Sequence, residues 1–187
     1  MLALAAPLYI VTGVLILAGL AKVRRPSATA AALQELSVPS PLVAARLLGA
    51  VEVVIGLGAI ATGSRLLWLG VAISYAAFTA FVLWALADSS NVGSCGCFGR
   101  EDTPATAGHA AFNAAAAALA LISVADPVSL GELDLSIGAA LIAFALIANG
   151  IALSIAALTI LPRTLAKSRG DAPPAVREFS LDSTPNR

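Results

Sequence analysis

Residues 66 to 87, LLWLGVAISYAAFTAFVLWALA, carry no charged side chain. About 20 apolar residues in a helix cross the hydrocarbon of a bilayer, so a run of this length reads as a membrane span. The same ruler finds four more segments, at about 2–21, 41–62, 105–124 and 137–161, and only the second holds charges, Arg46 and Glu52. The lipid interior has no water to satisfy backbone N–H and C=O groups, so each segment is expected to be helical. Composition agrees: 12% of the 187 residues are charged, against about 25% in a soluble domain. The expected fold is all-α, a polytopic transmembrane bundle over residues 1 to 161, with a disordered polar tail at 162–187.

The opening MLALAAPLYIVTGVLILAGLAKVRRP lacks a basic leading region, and its charges follow the apolar run instead of preceding it. It therefore reads as a retained first membrane helix, with no cleaved signal peptide. Residues 27–38 are weakly amphipathic through Leu33, Leu36 and Val38, as in a short interfacial helix closed by Pro39. The tight GSR turn at 63–65 makes the second and third segments antiparallel neighbours. Alanine dominates the fourth segment, which should be the most tightly packed, because small residues let helices approach in lipid. Tyr75, Phe78, Phe81 and Trp84 form a drifting aromatic stripe; it reads as packing, with a wall for a quinone or lipid tail as the alternative. Eleven basic and eleven acidic residues leave no concentrated basic face for nucleic acid. The partner that composition does imply is the lipid bilayer.

The chemistry concentrates in GSCGCFGRED, residues 93 to 102, which contains both cysteines of the chain. Two thiols separated by one glycine can close a small, strained disulfide, and strained disulfides exchange readily. Gly96 frees the backbone for closure. Arg100 and the start of a following helix both favour thiolate. Inert packing is the plainer alternative, but a polar, glycine-rich turn is a poor place for it.

His109 and Asn113, four residues apart, share a helix face near the membrane boundary. His109 can accept a thiol proton, or join Cys95 and Cys97 on a soft metal such as Cu(I); an interfacial histidine bonded to a carbonyl is the bland reading. Glu52 is an acid inside a span, which by default marks function and a partner. Arg46 lies about 240° around the helix from it, so the partner is expected from another helix, with Lys22 the best candidate. A purely structural ion pair is the alternative.

AGLAKVRRP (Ala18 to Pro26), EVVIG (Glu52 to Gly56), CGCFG (Cys95 to Gly99) and the Asn113 position together resemble the methylamine utilisation protein MauE family, within the wider DoxX-like membrane proteins. The resemblance covers roughly residues 1 to 125; CGCFG is its most specific piece. It implies a DoxX-like four-helix core in the plasma membrane, here followed by a fifth C-terminal membrane helix. It also implies a part in thiol–disulfide handling or maturation of an exported, disulfide-containing protein, often beside a thioredoxin-like protein. Members often carry an arginine before the asparagine, where this chain has Phe112.

The reading that joins these threads is a membrane thiol–disulfide oxidoreductase or its accessory subunit. Cys95 and Cys97 exchange, Arg100 and His109 tune them and move protons, and Glu52 with Lys22 holds the bundle. A membrane quinone is the candidate electron carrier. A copper-handling protein using Cys95, Cys97 and His109, and an assembly factor without turnover, are the alternatives. Basic residues follow the first segment (Lys22, Arg24, Arg25) and the fifth (Arg163, Lys167, Arg169), so both ends are expected on the cytoplasmic side. The cysteine link falls there by parity, although disulfide chemistry and the family resemblance both lean toward the outer face.

Overall fold

A computed structural model describes residues 2–87, 106–132, 136–160 and 164. Helix is the regular structure of the described residues, which contain no strand. Five long helices, α1 (Leu2–Arg24), α3 (Pro41–Thr62), α4 (Arg65–Ala87), α5 (Ala107–Ala125) and α6 (Ile137–Thr159), are each long and apolar enough to cross a bilayer. Between α1 and α3 lies the short α2 (Ser27–Glu35), whose Ala28, Thr29, Ala30 and Ala32 are buried. Ser37 and Ser40 on either side of Pro39 adopt left-handed φ values of 57° and 50°, so the chain turns sharply before entering α3.

Close contacts fix the direction of each helix. A Cβ added at Gly19 would fall 2.6 Å from the Gly49 carbonyl oxygen, and one at Gly49 would fall 2.6 Å from that of Gly19. Further along, Gly56 lies against Ile16 and Thr12, so α1 and α3 run antiparallel. Two opposed glycines at the crossing bring the backbones together as small residues do in lipid, where helix association gains little from hydrophobicity. Gly63, with φ 65°, ends α3 in the left-handed conformation that favours glycine, and α4 returns beside it. Trp68 near the start of α4 donates from Nε1 to the Val128 carbonyl at 3.2 Å, just beyond the end of α5.

α6 meets α1 in parallel: Ile151 packs on Gly13, and Ile10 on Gly150. Five crossings require this, since the first and fifth spans must point the same way. The C-terminal ends of α1, α4 and α6 and the N-terminal ends of α3 and α5 therefore share one end of the bundle. The Gly63 turn and the single 3-10 turn Leu130–Glu132 sit at the other.

The core joins Leu8, Val11 and Leu15 of α1 with Ala59, Trp68, Val71, Tyr75 and the alanines Ala116, Ala117 and Ala120. The alanine face of α5 does pack on α4. The most enclosed span, however, is α1, half buried against 39% for α5. The extra enclosure of α1 arises because it is flanked by α3, α5 and α6 together, whereas the alanine-rich α5 makes the most extensive pairing in the bundle, with α4. Only 6% of the α6 span is buried, and Ile137, Leu141, Phe144 and Leu153 point outward, as side chains facing lipid do. Hydroxyls in the spans bond back one turn, Thr12 to Leu8, Ser74 to Gly70 and Ser154 to Gly150, at 2.7–2.9 Å, which satisfies them without water. The expected tail at 162–187 lies outside the described residues, Thr164 excepted.

Candidate functional site

Polar groups gather at the end of the bundle where α1 finishes. Lys22, in the last turn of α1, is fully buried, and its Nζ donates to Glu52 Oε2 at 2.8 Å. Antiparallel α1 and α3 bring the two side by side just past the Gly19–Gly49 crossing. The ammonium also stands 4.8 Å from the centre of the Phe78 ring, a cation–π contact that strengthens when desolvated. Glu52 is wholly buried, and its second oxygen, Oε1, has no hydrogen-bond partner among the described residues. Arg46 is exposed, on a different face of α3 from Glu52, as the 3.6-residue repeat requires.

His109 sits in the first turn of α5. Thr106 is the residue that opens the helix, in extended conformation, and its hydroxyl makes no cap bond to the backbone. The hydroxyl turns instead to the imidazole, 2.8 Å from Nδ1. That contact points the other ring nitrogen inward. Nε2 is buried; the backbone of Leu158 approaches the ring, and among the described residues no well-formed hydrogen bond reaches this nitrogen. The imidazole is 2% exposed, deeper than the membrane-boundary position expected of it, because the last turn of α6 closes over it.

A cavity of about 20 Å³ lies between these groups, room for one water. Its polar lining comes from Lys22, His109 and Asn113, and its apolar lining includes Tyr75, Phe78, Phe112 and Leu158. Tyr75 and Phe112 stack edge to face at 6.3 Å, as do Tyr75 and Phe78, and the Tyr75 hydroxyl donates to the Val11 carbonyl at 2.5 Å. The aromatic stripe thus divides: Tyr75 and Phe78 wall the cavity, whereas Trp84, paired with Phe81 at 5.8 Å, is part-exposed at the rim.

Lys22 and Glu52 are therefore in contact, and Lys22, His109 and Asn113 border one cavity. Cys95, Cys97 and Arg100 lie outside the described residues. The helix ends that flank their link are described: Ala87 ends α4, Thr106 opens α5, and both are at the end of the bundle that holds the cavity. The contribution of Leu158 was missed from sequence, because an apolar leucine in an apolar helix gives no sign of which face meets a neighbour.

A multi-pass helical membrane protein with a buried ion pair beside a small cavity is the class that fold and site define. The chain belongs to the MauE family: the model of the family described as Methylamine utilisation protein MauE matches residues 1–126. That match takes in α1 to α5 and leaves α6 beyond it. No curated protein and no solved structure matches the chain.

Proposed function

We propose that this protein is a plasma-membrane thiol–disulfide exchange subunit in which Cys95 and Cys97 are the exchanging pair. The observation that carries the reading is the position of their link. It leaves α4 and enters α5 at the same end of the bundle as His109 and the Lys22–Glu52 pair. A cation and a histidine near this end favour the thiolate that attacks a disulfide.

In the exchange, a thiolate of the partner attacks the Cys95–Cys97 disulfide. One partner–chain S–S bond forms as the internal one breaks, and the second partner thiol resolves it. The partner is left oxidised and Cys95 and Cys97 are left as thiols. Reoxidation passes two electrons to an acceptor, a membrane quinone by class, and releases two protons. The cavity between the described helices has room for a water and not for a quinone ring, so it supplies no seat for that acceptor. The family's description sets the context as methylamine utilisation, and the partner sought is a thioredoxin-like protein on the face that carries the link.

Copper handling is less well supported. His109 borders the same cavity as Lys22, and a second cation beside that ammonium would be repelled. The test is trapping. Cys95→Ser or Cys97→Ser should accumulate a mixed disulfide that migrates as a larger species and is released by reductant. If neither variant yields an adduct, the exchange reading fails.

A further inference from the structure

The cavity and its three polar neighbours form an incomplete string. At the mouth of the bundle, the Thr106 hydroxyl meets His109 Nδ1 at 2.8 Å. On the far side of the ring, Nε2 is buried, and among the described residues only the Leu158 backbone approaches it, without a well-formed hydrogen bond. At the inner end, Lys22 Nζ meets Glu52 Oε2 at 2.8 Å, and Glu52 Oε1 has no partner among the described residues. Between the two halves lies a space for one water, bordered by His109, Asn113 and Lys22.

We infer that this cavity is a water site, and that the bound water joins His109 to the Lys22–Glu52 pair as a proton relay running from the α4–α5 end of the bundle to Glu52. A buried water needs two to four polar partners; His109 Nε2, the Lys22 ammonium and the Asn113 amide supply them. A buried imidazole nitrogen without a partner is costly, and the water removes that cost.

The relay balances one proton per passage. A proton arrives through the Thr106 hydroxyl at Nδ1, and Nε2 releases its proton to the water. The water passes one to Lys22 as Lys22 gives the proton of its 2.8 Å bond to Glu52. Lys22 stays cationic, Glu52 becomes neutral, and the imidazole changes tautomer, resetting when the proton returns. Among the described residues, the titratable groups that face the path from the packed helices are Lys22 from α1, Glu52 from α3, and Tyr75 from α4, whose hydroxyl is held by the Val11 carbonyl. As the store for protons released by thiol oxidation, the relay rests on the exchange reading. As a path to Glu52 it does not.

The experiment is time-resolved infrared spectroscopy of the purified full-length protein in lipid nanodiscs, with both thiols alkylated, after a pH jump. The carboxyl band of Glu52 is identified by its loss in Glu52→Gln. In the unsubstituted protein this band should follow the jump promptly. His109→Phe, which fills the site and removes the relay, should slow it about 100-fold, the low end of what a positioned proton-transfer group contributes. His109→Gln, which keeps an amide donor but cannot pass a proton on, should slow it similarly. Free imidazole should restore speed to His109→Gly. Equal rates in the His109 variants, or no Glu52 band at any pH where the fold persists, overturn the relay. Because the thiols are blocked, failure here is distinct from failure of the mixed-disulfide trap, which bears on the exchange reading alone.

Discussion

Removing the Glu52 carboxylate should destabilise the bundle far more than removing the whole ion pair. The two charges lie 2.8 Å apart, and at an effective dielectric constant of about 20 their gross attraction is roughly 6 kcal/mol. That attraction offsets the cost of taking both ions out of water, so the net worth of the pair is small. Glu52→Ala removes the attraction and leaves the Lys22 desolvation in place, a loss of roughly 3–5 kcal/mol. Phe78 does not compensate, because its contact with the ammonium exists in both proteins. Glu52→Gln keeps an acceptor for the Lys22 N–H but loses the charge, and should cost about 1–3 kcal/mol. The double variant Lys22→Met with Glu52→Leu buries neither charge and should come within about 1 kcal/mol of the parent protein, or exceed it. Unfolding in mixed micelles by SDS titration, followed by helical circular dichroism, measures all four proteins. A double variant as unstable as Glu52→Ala, or a Glu52→Ala protein as stable as the parent, would refute the reasoning.

Gly49→Ala places a Cβ 2.6 Å from the Gly19 carbonyl oxygen and should cost about 1–3 kcal/mol by forcing the α1–α3 crossing apart. Gly138→Ala meets nothing within 4 Å and should be neutral or slightly stabilising in the same titration, since alanine is the better helix former. Trp68→Phe gives up the 3.2 Å bond to the Val128 carbonyl and should lose about 1 kcal/mol, read from the same curve. For sidedness, Arg24 and Arg25 are expected to hold the α1 exit in the cytoplasm. A membrane-impermeant maleimide applied to intact, mildly reduced cells should therefore label Cys95 and Cys97 slowly; rapid labelling reverses the orientation.

The spans were legible because lipid imposes a single length and a near-absence of charge, and the helices 41–62, 65–87 and 137–159 follow that pattern within a residue or two. Where boundaries moved, charge had misled: α1 continues through Lys22 to Arg24, because Lys22 is buried against Glu52 and does not end the helix. The meeting of Lys22 and Glu52 follows from the cost of a lone charge in hydrocarbon, which forces a search for a cation on another helix. The burial of His109 was not legible. It depends on the last turn of α6, and α6 is apolar almost all round, with no charged residue, so its periodicity gives no direction. Its docking is set by shape, Gly13 and Gly150 receiving Ile151 and Ile10, and such fits leave no mark in a hydropathy pattern. The 3-10 turn Leu130–Glu132 was likewise hidden in a link that read only as acidic.

Trapping the thiols of Cys95 and Cys97 measures directly whether the pair changes redox state in the cell. Cells are quenched in acid, free thiols are alkylated with a maleimide that adds mass, and the protein is resolved with and without prior reduction. In the unreduced sample part of the protein should resist labelling, with both cysteines labelled after reduction and the proportions shifting when a reductant or oxidant is supplied to living cells. Complete labelling of both cysteines under every condition would contradict the exchange reading.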